Sequence, residues 1–308
     1  MTWDIATINE EWLIDLCHKA EKERGVIGGL MKGDRVIKVS DHIAVKYGYG
    51  VTAAEAATQE FAYNRVDSNI VHIPRVYRFI EPKGSARTKG YLFMEYVPGQ
   101  NLKDVDLEAR KDILPRIAKI AAHLGQIQGG QRPPGPVGGG EPHGYLWGDH
   151  GANTVFNSVE DLNTYMNKRL KLRNDSIDLA PHSLVLCHLD LCRRNIILKD
   201  DGVSLYLVDW GSAGFYPRFF EVAMISCMLP YDGPYEQPLL QEIENVIDLT
   251  DEEKRLTQLI HYVRAANLRY LFDEETSFDF AAFMASTMKE IPPKETVPGQ
   301  TLVSKLGD

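Results

Sequence analysis

The sequence contains few cysteines and no long hydrophobic segment. Four cysteines occur among 308 residues, Cys17, Cys187, Cys192 and Cys227, and their spacing matches neither a metal site nor a redox motif. No apolar stretch approaches the roughly 20 residues that a membrane-spanning helix needs. Residues 1–4 lack the basic and apolar run that opens a signal peptide. We therefore expect Cys187 and Cys192 to be packed thiols, and we expect no membrane association and a reducing, cytoplasmic environment.

The sequence also lacks an excess of basic residues. Its formal net charge is -9, from 34 Lys and Arg against 43 Asp and Glu, which argues against a nucleic-acid partner. The hydrophobic content of 44% and the charged content of 25% are ordinary for a globular protein. A chain of this length suffices for one large domain or for two lobes. The acidic balance suits a cationic small molecule and plain solubility equally well.

Residues 184–211 contain three short apolar runs, with a polar segment after the first run. The turn at residues 199–202 contains Asp-Gly, which predicts a β-hairpin when it lies between two apolar runs. The pattern places Asp190 and Asn195 on the loop before this hairpin and Asp209 at the end of its second strand.

These three side chains have the chemistry of a phosphate-transferring site. Asp190 can accept a proton from an attacking hydroxyl group, whereas the oxygen atoms of Asn195 and Asp209 are hard ligands that suit Mg²⁺. The set matches the kinase pattern of a loop base, a loop Asn and a second metal-holding Asp. Taken singly, each residue is better explained as a turn residue or a strand-end cap. Their combination at this spacing favours the catalytic interpretation.

The signature is the run His-Leu-Asp at residues 188–190 with Asn195, followed by Val-Asp-Trp-Gly at residues 208–211. It resembles that of the aminoglycoside phosphotransferase and choline kinase group of small-molecule kinases. The wider string around it is similar to the fungal branch of the phosphotransferase enzyme family. The resemblance extends over residues 36–290.

This resemblance implies an α+β, bilobal, protein-kinase-like fold, with an antiparallel N-terminal sheet and a mainly helical C-terminal lobe. The implied nucleotide-binding lobe comprises residues 1–97, and the implied catalytic and substrate lobe comprises residues 98–308. The implied activity is the transfer of the γ-phosphate of ATP, with Mg²⁺, to a hydroxyl group of a small molecule. The implied roles are a base at Asp190, metal ligands at Asn195 and Asp209, and a loop-bracing side chain at His188.

The sequence departs from related patterns at two positions. Leu189 stands where many relatives have Gly, and we do not count this position as catalytic. Cys192 stands where serine/threonine protein kinases carry the Lys that steadies the transferred phosphoryl group. Arg193 and Arg194 are the cations near enough in sequence to supply that charge, and we include Arg194 among the expected catalytic residues.

Lys46 ends an Ile-Ala-Val run that is close to the pattern of a phosphate-pairing strand lysine. The next segment, residues 52–67, is rich in Ala and predicts a helix with Thr52 as its N-cap. Glu55 then either completes a capping box with Thr52 or pairs with Lys46. Glu60 is the rival partner, and its helical phase differs from that of Glu55 by about 140°, so both cannot face Lys46. The resemblance favours Glu55.

The strand that ends near Met94 leads into a Pro-Gly turn. By the resemblance, backbone groups of Glu95, Tyr96 and Val97 contact the adenine ring, with Met94 behind them. The glycines of residues 25–33 suit a phosphate-covering loop, but they are explained at least as well as turn glycines, because no G-x-G-x-x-G occurs.

Residues 129–151 are rich in Gly and Pro and too long for an ordinary connection, so they form either a functional or a disordered loop. By the resemblance this Gly/Pro loop lies near the acceptor site. Its His143 and His150 lack a partner Cys or acid at ligand spacing. Residues 231–238 predict a turn-rich loop. Further helices are predicted at residues 3–24, 107–128, 159–171 and 219–228, and one or two helices are predicted at residues 251–273.

Two other functions compete with catalysis on a small molecule. A nucleotide-binding scaffold without catalysis is disfavoured because all the motif side chains are present. A protein kinase is disfavoured because the segment after Asp209 is short and contains no A-P-E sequence.

Overall fold

The helices and strands of the protein come from a computed structural model that describes residues 5–29, 33–82, 88–227 and 232–272. In chain order they are α1 (Glu10–Arg24), β1 (Gly28–Gly29), β2 (Arg35–Lys38), β3 (Ile43–Gly48), α2 (Ala53–Arg65), β4 (Val76–Ile80), β5 (Gly90–Glu95), β6 (Gly99–Asn101), α3 (Ile113–Leu124), α4 (Val159–Leu170), β7 (Leu184–Cys187), β8 (Ile196–Lys199), β9 (Leu205–Leu207), β10 (Gly214–Pro217), α5 (Phe219–Cys227), α6 (Gly233–Glu244) and α7 (Asp251–Arg269). In this part of the chain, no helix is both long and apolar enough to cross a membrane.

The first five strands form one antiparallel sheet in the order β1-β2-β3-β5-β4. Side chains alternate between the two faces of a strand, so Val45 points away from its neighbours Ala44 and Lys46. Val45 joins a core cluster with Leu13 and other residues of α1. Lys46 pairs with Leu92 of β5, and Ala44 pairs with Met94. Lys46 and Ala44 therefore lie on the face of the sheet opposite to that of Val45. This face carries the predicted nucleotide-binding lysine.

Helix α2 begins where predicted, because Thr52 Oγ1 accepts a hydrogen bond from the Glu55 backbone N–H at 3.1 Å. The Glu55 side chain is hydrogen-bonded to Lys46 instead of returning to Thr52. The capping box is therefore only half formed.

The second part of the chain is mainly helical and contains two small sheets. The predicted hairpin is present as β8 and β9, and β6 extends it to three strands. Strand β7 pairs with β10. The connection from β7 to β8 carries Asp190 and Asn195. Asp209 lies two residues after the end of β9. The predicted lobe boundary between residues 97 and 98 lies between β5 and β6 and stays a prediction.

Two predicted helices are shorter than expected. The helix predicted at residues 3–24 begins at Glu10, because Asn9 Oδ1 accepts the Trp12 N–H and caps it there. The helix predicted at residues 107–128 is α3 and begins at Ile113. Pro115 explains this start, since proline is tolerated in the first turn of a helix but breaks the hydrogen bonding of its interior.

The loop predicted at residues 231–238 is wrong for its described part, because residues from Gly233 onward form helix α6. Pro234 lies in the first turn, where a missing N–H costs nothing. Tyr235, Leu239 and Ile243 recur every four residues and are buried in the core. Burial of this apolar stripe stabilises a helix despite its glycine and prolines.

Candidate active site

A cavity of about 640 Å³ lies between the five-stranded sheet, the β8–β9 hairpin and the Gly/Pro loop. Many residues singled out from the sequence converge on it from segments far apart in the chain. Those that line it are Lys46, Glu55, Met94, Glu95, Tyr96, Val97, Arg194, Asn195 and Asp209. Asp190 lies beside the cavity, hydrogen-bonded to Asn195, and His188 is fully buried beneath the loop.

Lys46 joins two carboxylates across the cavity wall. Its Nζ lies 2.6 Å from Glu55 Oε1 and 2.8 Å from Asp209 Oδ1. The Glu55 side chain is 1% exposed, whereas the Asp209 side chain is 46% exposed because it faces the open cavity. The structure therefore pairs Lys46 with Glu55, and Glu60 is exposed.

Lys46 favours the charged form of both carboxylates, whereas Asp209 disfavours the charged form of Glu55. Burial acts to lower the pKa of Lys46, but the carboxylates of Asp209 and Glu55 outweigh it and raise that pKa above its ordinary value. The enclosed position of Asp209 acts to raise its pKa, but the Lys46 ammonium holds the pKa below its ordinary value. Burial raises the pKa of Glu55, and Lys46 opposes this. At neutral pH the cavity thus presents a fixed cation beside a fixed anion.

The loop between β7 and β8 holds Asp190 and Asn195 together. Asn195 Nδ2 donates to Asp190 Oδ2 at 2.8 Å and to the Asp190 backbone oxygen at 3.0 Å. Both hydrogen bonds use the amide nitrogen, and the amide oxygen of Asn195 has no hydrogen-bond partner among the described residues, so it is available as a ligand. The Asn195 side chain is buried, and its two hydrogen bonds to Asp190 fix its orientation.

His188 connects the loop to the end of β9. Its Nδ1 accepts the Asp190 backbone N–H at 3.3 Å, and its Nε2 lies 3.1 Å from the Val208 backbone oxygen. This pattern requires the proton on Nε2. Burial lowers the pKa of His188, which keeps the ring neutral. The side chain therefore links the segment of Asp190 to that of Asp209.

Glu221 is a loop-holding residue that the sequence analysis missed. It projects from α5, is 3% exposed, and accepts the backbone N–H groups of His188 at 2.5 Å and Leu189 at 3.1 Å. Burial raises the pKa of Glu221 to about 7, although the two N–H groups oppose this. Its sequence signal was a single acid within the apolar run of α5.

Leu189 adopts a φ of 62°, in the left-handed region. Glycine enters this region without steric cost, whereas a leucine is strained there. This conformation gives a physical reason for the glycine of many relatives at this position. The Leu189 side chain is buried in the core, and its N–H is held by Glu221. Leu189 thus places a strained backbone conformation in the loop between β7 and β8.

Replacing Glu221 by Gln is expected to change how stability depends on pH. In the wild type, the unfolded chain ionises Glu221 near its ordinary pKa of 4.5, whereas the folded protein retains the proton up to about pH 7. The contribution of Glu221 is therefore full below the unfolded pKa and is lost as pH rises to the folded pKa. Between about pH 5 and about pH 8, we expect the free energy of unfolding of the wild type, relative to Glu221→Gln, to fall by roughly 3 kcal/mol.

Urea denaturation of both proteins across this pH range measures the difference. Glu160→Gln, at an exposed position of α4, is the control and should follow the wild type. If the free energies of unfolding of the wild type and Glu221→Gln change with pH in parallel, Glu221 does not titrate in this range.

The two loop arginines have different surroundings. Arg193 pairs with Asp232 at the start of α6, with Nε–Oδ2 and Nη2–Oδ1 distances of 2.6 and 3.0 Å. Arg194 lines the cavity, and its backbone oxygen accepts the Asn101 side-chain amide at 2.6 Å. The structure therefore directs Arg194 toward the cavity and uses Arg193 to tie the loop to α6.

The segment predicted to contact adenine has only some of its backbone groups available. The N–H of Glu95 donates to the Arg75 oxygen and that of Tyr96 to the His42 oxygen, both at 2.9 Å. The Val97 N–H has no hydrogen-bond partner among the described residues. Val97 is thus the N–H donor that this segment leaves for a ligand.

The Gly/Pro loop is ordered by contacts rather than by helices or strands. Gly135 exchanges two backbone hydrogen bonds with Phe215 of β10, at 3.2 and 2.8 Å. His143 and Asp149 line the cavity, whereas His150 is exposed. In the described ranges, no group of three or more His, Cys, Asp or Glu side chains is arranged to hold a metal ion. All four cysteines are buried and free, which confirms the prediction for Cys187 and Cys192.

Comparison with known proteins identifies the fold. One similar solved structure is the apo form of a thermostable mutant of aminoglycoside phosphotransferase APH(4)-Ia, with 15% identity, a TM-score of 0.53, and coverage of 79% of this chain and 84% of that chain. A second structure of APH(4)-Ia has 16% identity, a TM-score of 0.53, and coverage of 83% and 87%. A third is a thermostable mutant of APH(4)-Ia in a ternary complex with AMP-PNP and hygromycin B. It has 15% identity, a TM-score of 0.50, and coverage of 80% of this chain and 87% of that chain. These likenesses confirm the predicted α+β, bilobal, kinase-like fold.

A comparison with curated protein sequences gave no match. The family model described as "Phosphotransferase enzyme family" matches residues 48–273, which is most of the chain and includes Asp190, Asn195 and Asp209. The chain therefore belongs to the phosphotransferase enzyme family.

Proposed function

We propose that the protein transfers the γ-phosphoryl group of ATP, in a Mg²⁺-dependent reaction, to a hydroxyl group of a small molecule. The observation that carries this proposal is the convergence of Lys46, Glu55 and Asp209 on one cavity, with contacts of 2.6 and 2.8 Å. Asn195 lines the same cavity from a separate loop, and Asp190 lies beside the cavity, hydrogen-bonded to Asn195. A packed core would not place so many ionisable groups around open space.

The donor set fits Mg²⁺ held jointly with nucleotide phosphates. Asn195 and Asp209 offer an amide and a carboxylate oxygen, which are hard ligands. Two protein ligands are few, but Mg²⁺ usually takes one or two from the protein and the rest from phosphates and water. When bound, the ion would neutralise charge on the phosphate oxygens.

The remaining residues have complementary roles. Lys46, aligned by Glu55, binds the inner phosphates. Met94 and the segment Glu95, Tyr96 and Val97 receive the adenine ring, with the Val97 N–H as donor. Arg194 faces the cavity with the charge needed by the transferred group.

Asp190 orients the acceptor hydroxyl and takes its proton. The hydroxyl oxygen forms a bond to the γ-phosphorus while the bond from that phosphorus to ADP breaks, and the proton moves to the Asp190 carboxylate. His188 and Glu221 do not touch the reacting atoms and instead hold the loop that carries Asp190. Because the transition state of phosphoryl transfer is loose, positioning matters more than the strength of the base.

A small acceptor is favoured over a protein. Strand β10 begins five residues after Asp209 and leads directly into α5, so no long activation segment is present between them. The Gly/Pro loop closes one side of the cavity with His143 and Asp149. A cavity of about 640 Å³ is within the usual size range of small-molecule sites.

The proposal is tested by nucleotide binding and turnover. We expect Mg-ATP to raise the melting temperature of the protein, and phosphate to be transferred to at least one member of a metabolite extract, detected as an ATP-dependent mass gain of one phosphate. Hygromycin B, which is bound in one of the similar structures, belongs in the acceptor panel. Binding of Mg-ATP without turnover on any acceptor would support a nucleotide-binding scaffold instead. Absence of nucleotide binding would contradict both.

A further inference from the structure

Helix α2 has a second contact face beside the face that carries Glu55. Ala54, Ala57, Thr58 and Phe61 recur at helical spacing and therefore form one stripe. This stripe contacts the Gly/Pro loop and β10, whereas Glu55 points to the sheet. One rigid helix thus connects the acceptor-side loop with the nucleotide-binding lysine.

Thr58 is the polar centre of this stripe and is fully buried. Its Oγ1 donates to the Ala54 backbone oxygen at 2.7 Å and accepts the Val137 backbone N–H at 3.0 Å. The hydroxyl group therefore satisfies a loop N–H that would otherwise lose its partner. Leaving such a group unpaired is costly, so the bond holds the loop against the helix.

Two glycines of the loop lie against the alanines of the helix. A Cβ added to Gly138 would lie 3.5 Å from Ala57 Cβ, and one added to Gly140 would lie 3.6 Å from Ala54 Cβ. Both glycines have φ in the left-handed region, at 86° and 105°. A side chain larger than a methyl group at Gly138 would displace the helix or the loop.

The start of the loop is fixed to the second part of the chain. Gly135 is paired with Phe215 of β10, and the Phe215 ring packs edge-to-face on Phe61 with centroids 5.4 Å apart. The Arg132 guanidinium lies over both rings, 5.2 Å from that of Phe61 and 5.6 Å from that of Phe215. Strand β10 in turn pairs with β7, which leads into the catalytic loop.

We propose that residues 135–140 clamp helix α2 in the position that keeps Glu55 on Lys46. Glu55 and Thr58 are about one turn apart on the helix, so fixing Thr58 fixes the carboxylate. Thr58 is a positioning residue, because it acts through Glu55 and does not line the cavity. The expected effect on nucleotide affinity rests on the proposed function. The clamping of helix α2 by residues 135–140 does not depend on it.

The clamp couples the two ends of the cavity. The loop continues from the clamp to His143 and Asp149, which line the acceptor side. A molecule that orders this part of the loop would therefore favour the helix position that binds nucleotide. By reciprocity, nucleotide binding would order the loop.

The first test measures the clamp without reference to catalysis. Hydrogen exchange of the amides of residues 53–65 is compared in Thr58→Val, which removes only the hydroxyl group, and Thr58→Ser, which retains it. We expect faster exchange in Thr58→Val by roughly tenfold and near wild-type exchange in Thr58→Ser. Thr257→Val is the control, because Thr257 Oγ1 donates to the Glu253 oxygen in the same geometry on α7. Equal exchange of α2 in Thr58→Val and Thr257→Val would overturn the clamp.

The second test uses a matched pair of loop variants. Gly138→Leu and Gly139→Leu carry the same backbone strain, with φ of 86° and 84°, but only Gly138 faces the helix, since nothing lies within 4 Å of a Cβ at Gly139. Relative to Gly139→Leu, we expect Gly138→Leu to bind Mg-AMP-PNP roughly tenfold more weakly and to lose the protection of residues 136–151 that the nucleotide confers. If both variants bind equally well, the coupling is wrong. If the wild type binds no nucleotide, the proposed function fails, and the exchange of α2 still decides the clamp.

Discussion

Asp190→Asn is expected to lower the turnover of phosphoryl transfer by roughly 10²- to 10⁴-fold while nucleotide affinity stays within about twofold. The amide keeps the shape of the carboxylate, and its oxygen can still accept the hydrogen bond that Asn195 Nδ2 donates at 2.8 Å. It cannot accept the proton of an acceptor hydroxyl. Asp190 contacts neither Lys46 nor Glu55 in the described structure, so the contacts of Lys46 with Glu55 and Asp209 should be unchanged.

Single-turnover rates and titration with Mg-ADP separate the two effects. Asp200→Asn is a suitable control, because Asp200 is exposed at the turn of the same hairpin, and it should behave as the wild type. Wild-type turnover in Asp190→Asn would remove Asp190 from the role of base. A parallel loss of nucleotide affinity would instead indicate that the substitution disturbs the loop.

The parts of the site that could be predicted from sequence are those set by short-range patterns. The Asp-Gly turn between apolar runs predicts the hairpin β8–β9, and the hairpin alone determines where Asn195 and Asp209 lie relative to each other. The alternation within β3 predicts the face of Lys46. These features follow from backbone geometry within a few residues.

The resemblance favoured Glu55 over Glu60, but the physical reason for that choice lies in the tertiary structure. Both acids lie on the same helix, and local propensity does not distinguish them. Packing of α2 on the sheet buries Glu55, and a buried carboxylate needs a cation or several hydrogen bonds. Lys46 supplies that cation.

Glu221 and Thr58 were missed because their partners are distant in sequence. Glu221 holds backbone groups 32 and 33 residues before it, and Thr58 holds one 79 residues after it. Neither partner is a side chain, so no residue-type pattern marks the contact. The single acid in the apolar helix α5 was the available signal, since an acid in such a run must find a partner when it is buried.

Helix limits were wrong where a proline or glycine was weighed incorrectly. Pro115 lies inside the helix predicted at residues 107–128. Because proline is best tolerated in the first turn, the start of this helix should have been predicted just before Pro115. Conversely, Gly233 and Pro234 suggested a loop, although proline at a helix start is favourable. In both helices a proline lies in the first turn, and α6 also tolerates Pro238 in its interior because its apolar stripe is buried.

Asp209→Asn is expected to abolish the strengthening of nucleotide affinity by Mg²⁺ and to lower turnover by roughly 10²- to 10³-fold. Lys46 contacts Oδ1 of Asp209, while the side chain remains 46% exposed to the cavity and can still meet a cation. An amide oxygen is a weaker ligand because it carries no net charge. Without Mg²⁺, the variant should bind nucleotide at least as well as the wild type, since one negative charge near the phosphates is removed.

Calorimetric titration of the wild type and of Asp209→Asn with ADP, each in the presence of Mg²⁺ and in the presence of EDTA, gives four affinities. Asp34→Asn is the matched control, because Asp34 also lines the cavity and its Oδ1 accepts the Gly50 backbone N–H. As a charge change without metal contact, it should alter the affinity for ADP by the same factor with and without Mg²⁺. If Mg²⁺ strengthens binding equally in Asp209→Asn and in the wild type, Asp209 is not a metal ligand. Its role would then be confined to fixing Lys46, and the loss of turnover would have to follow from misplacement of that lysine.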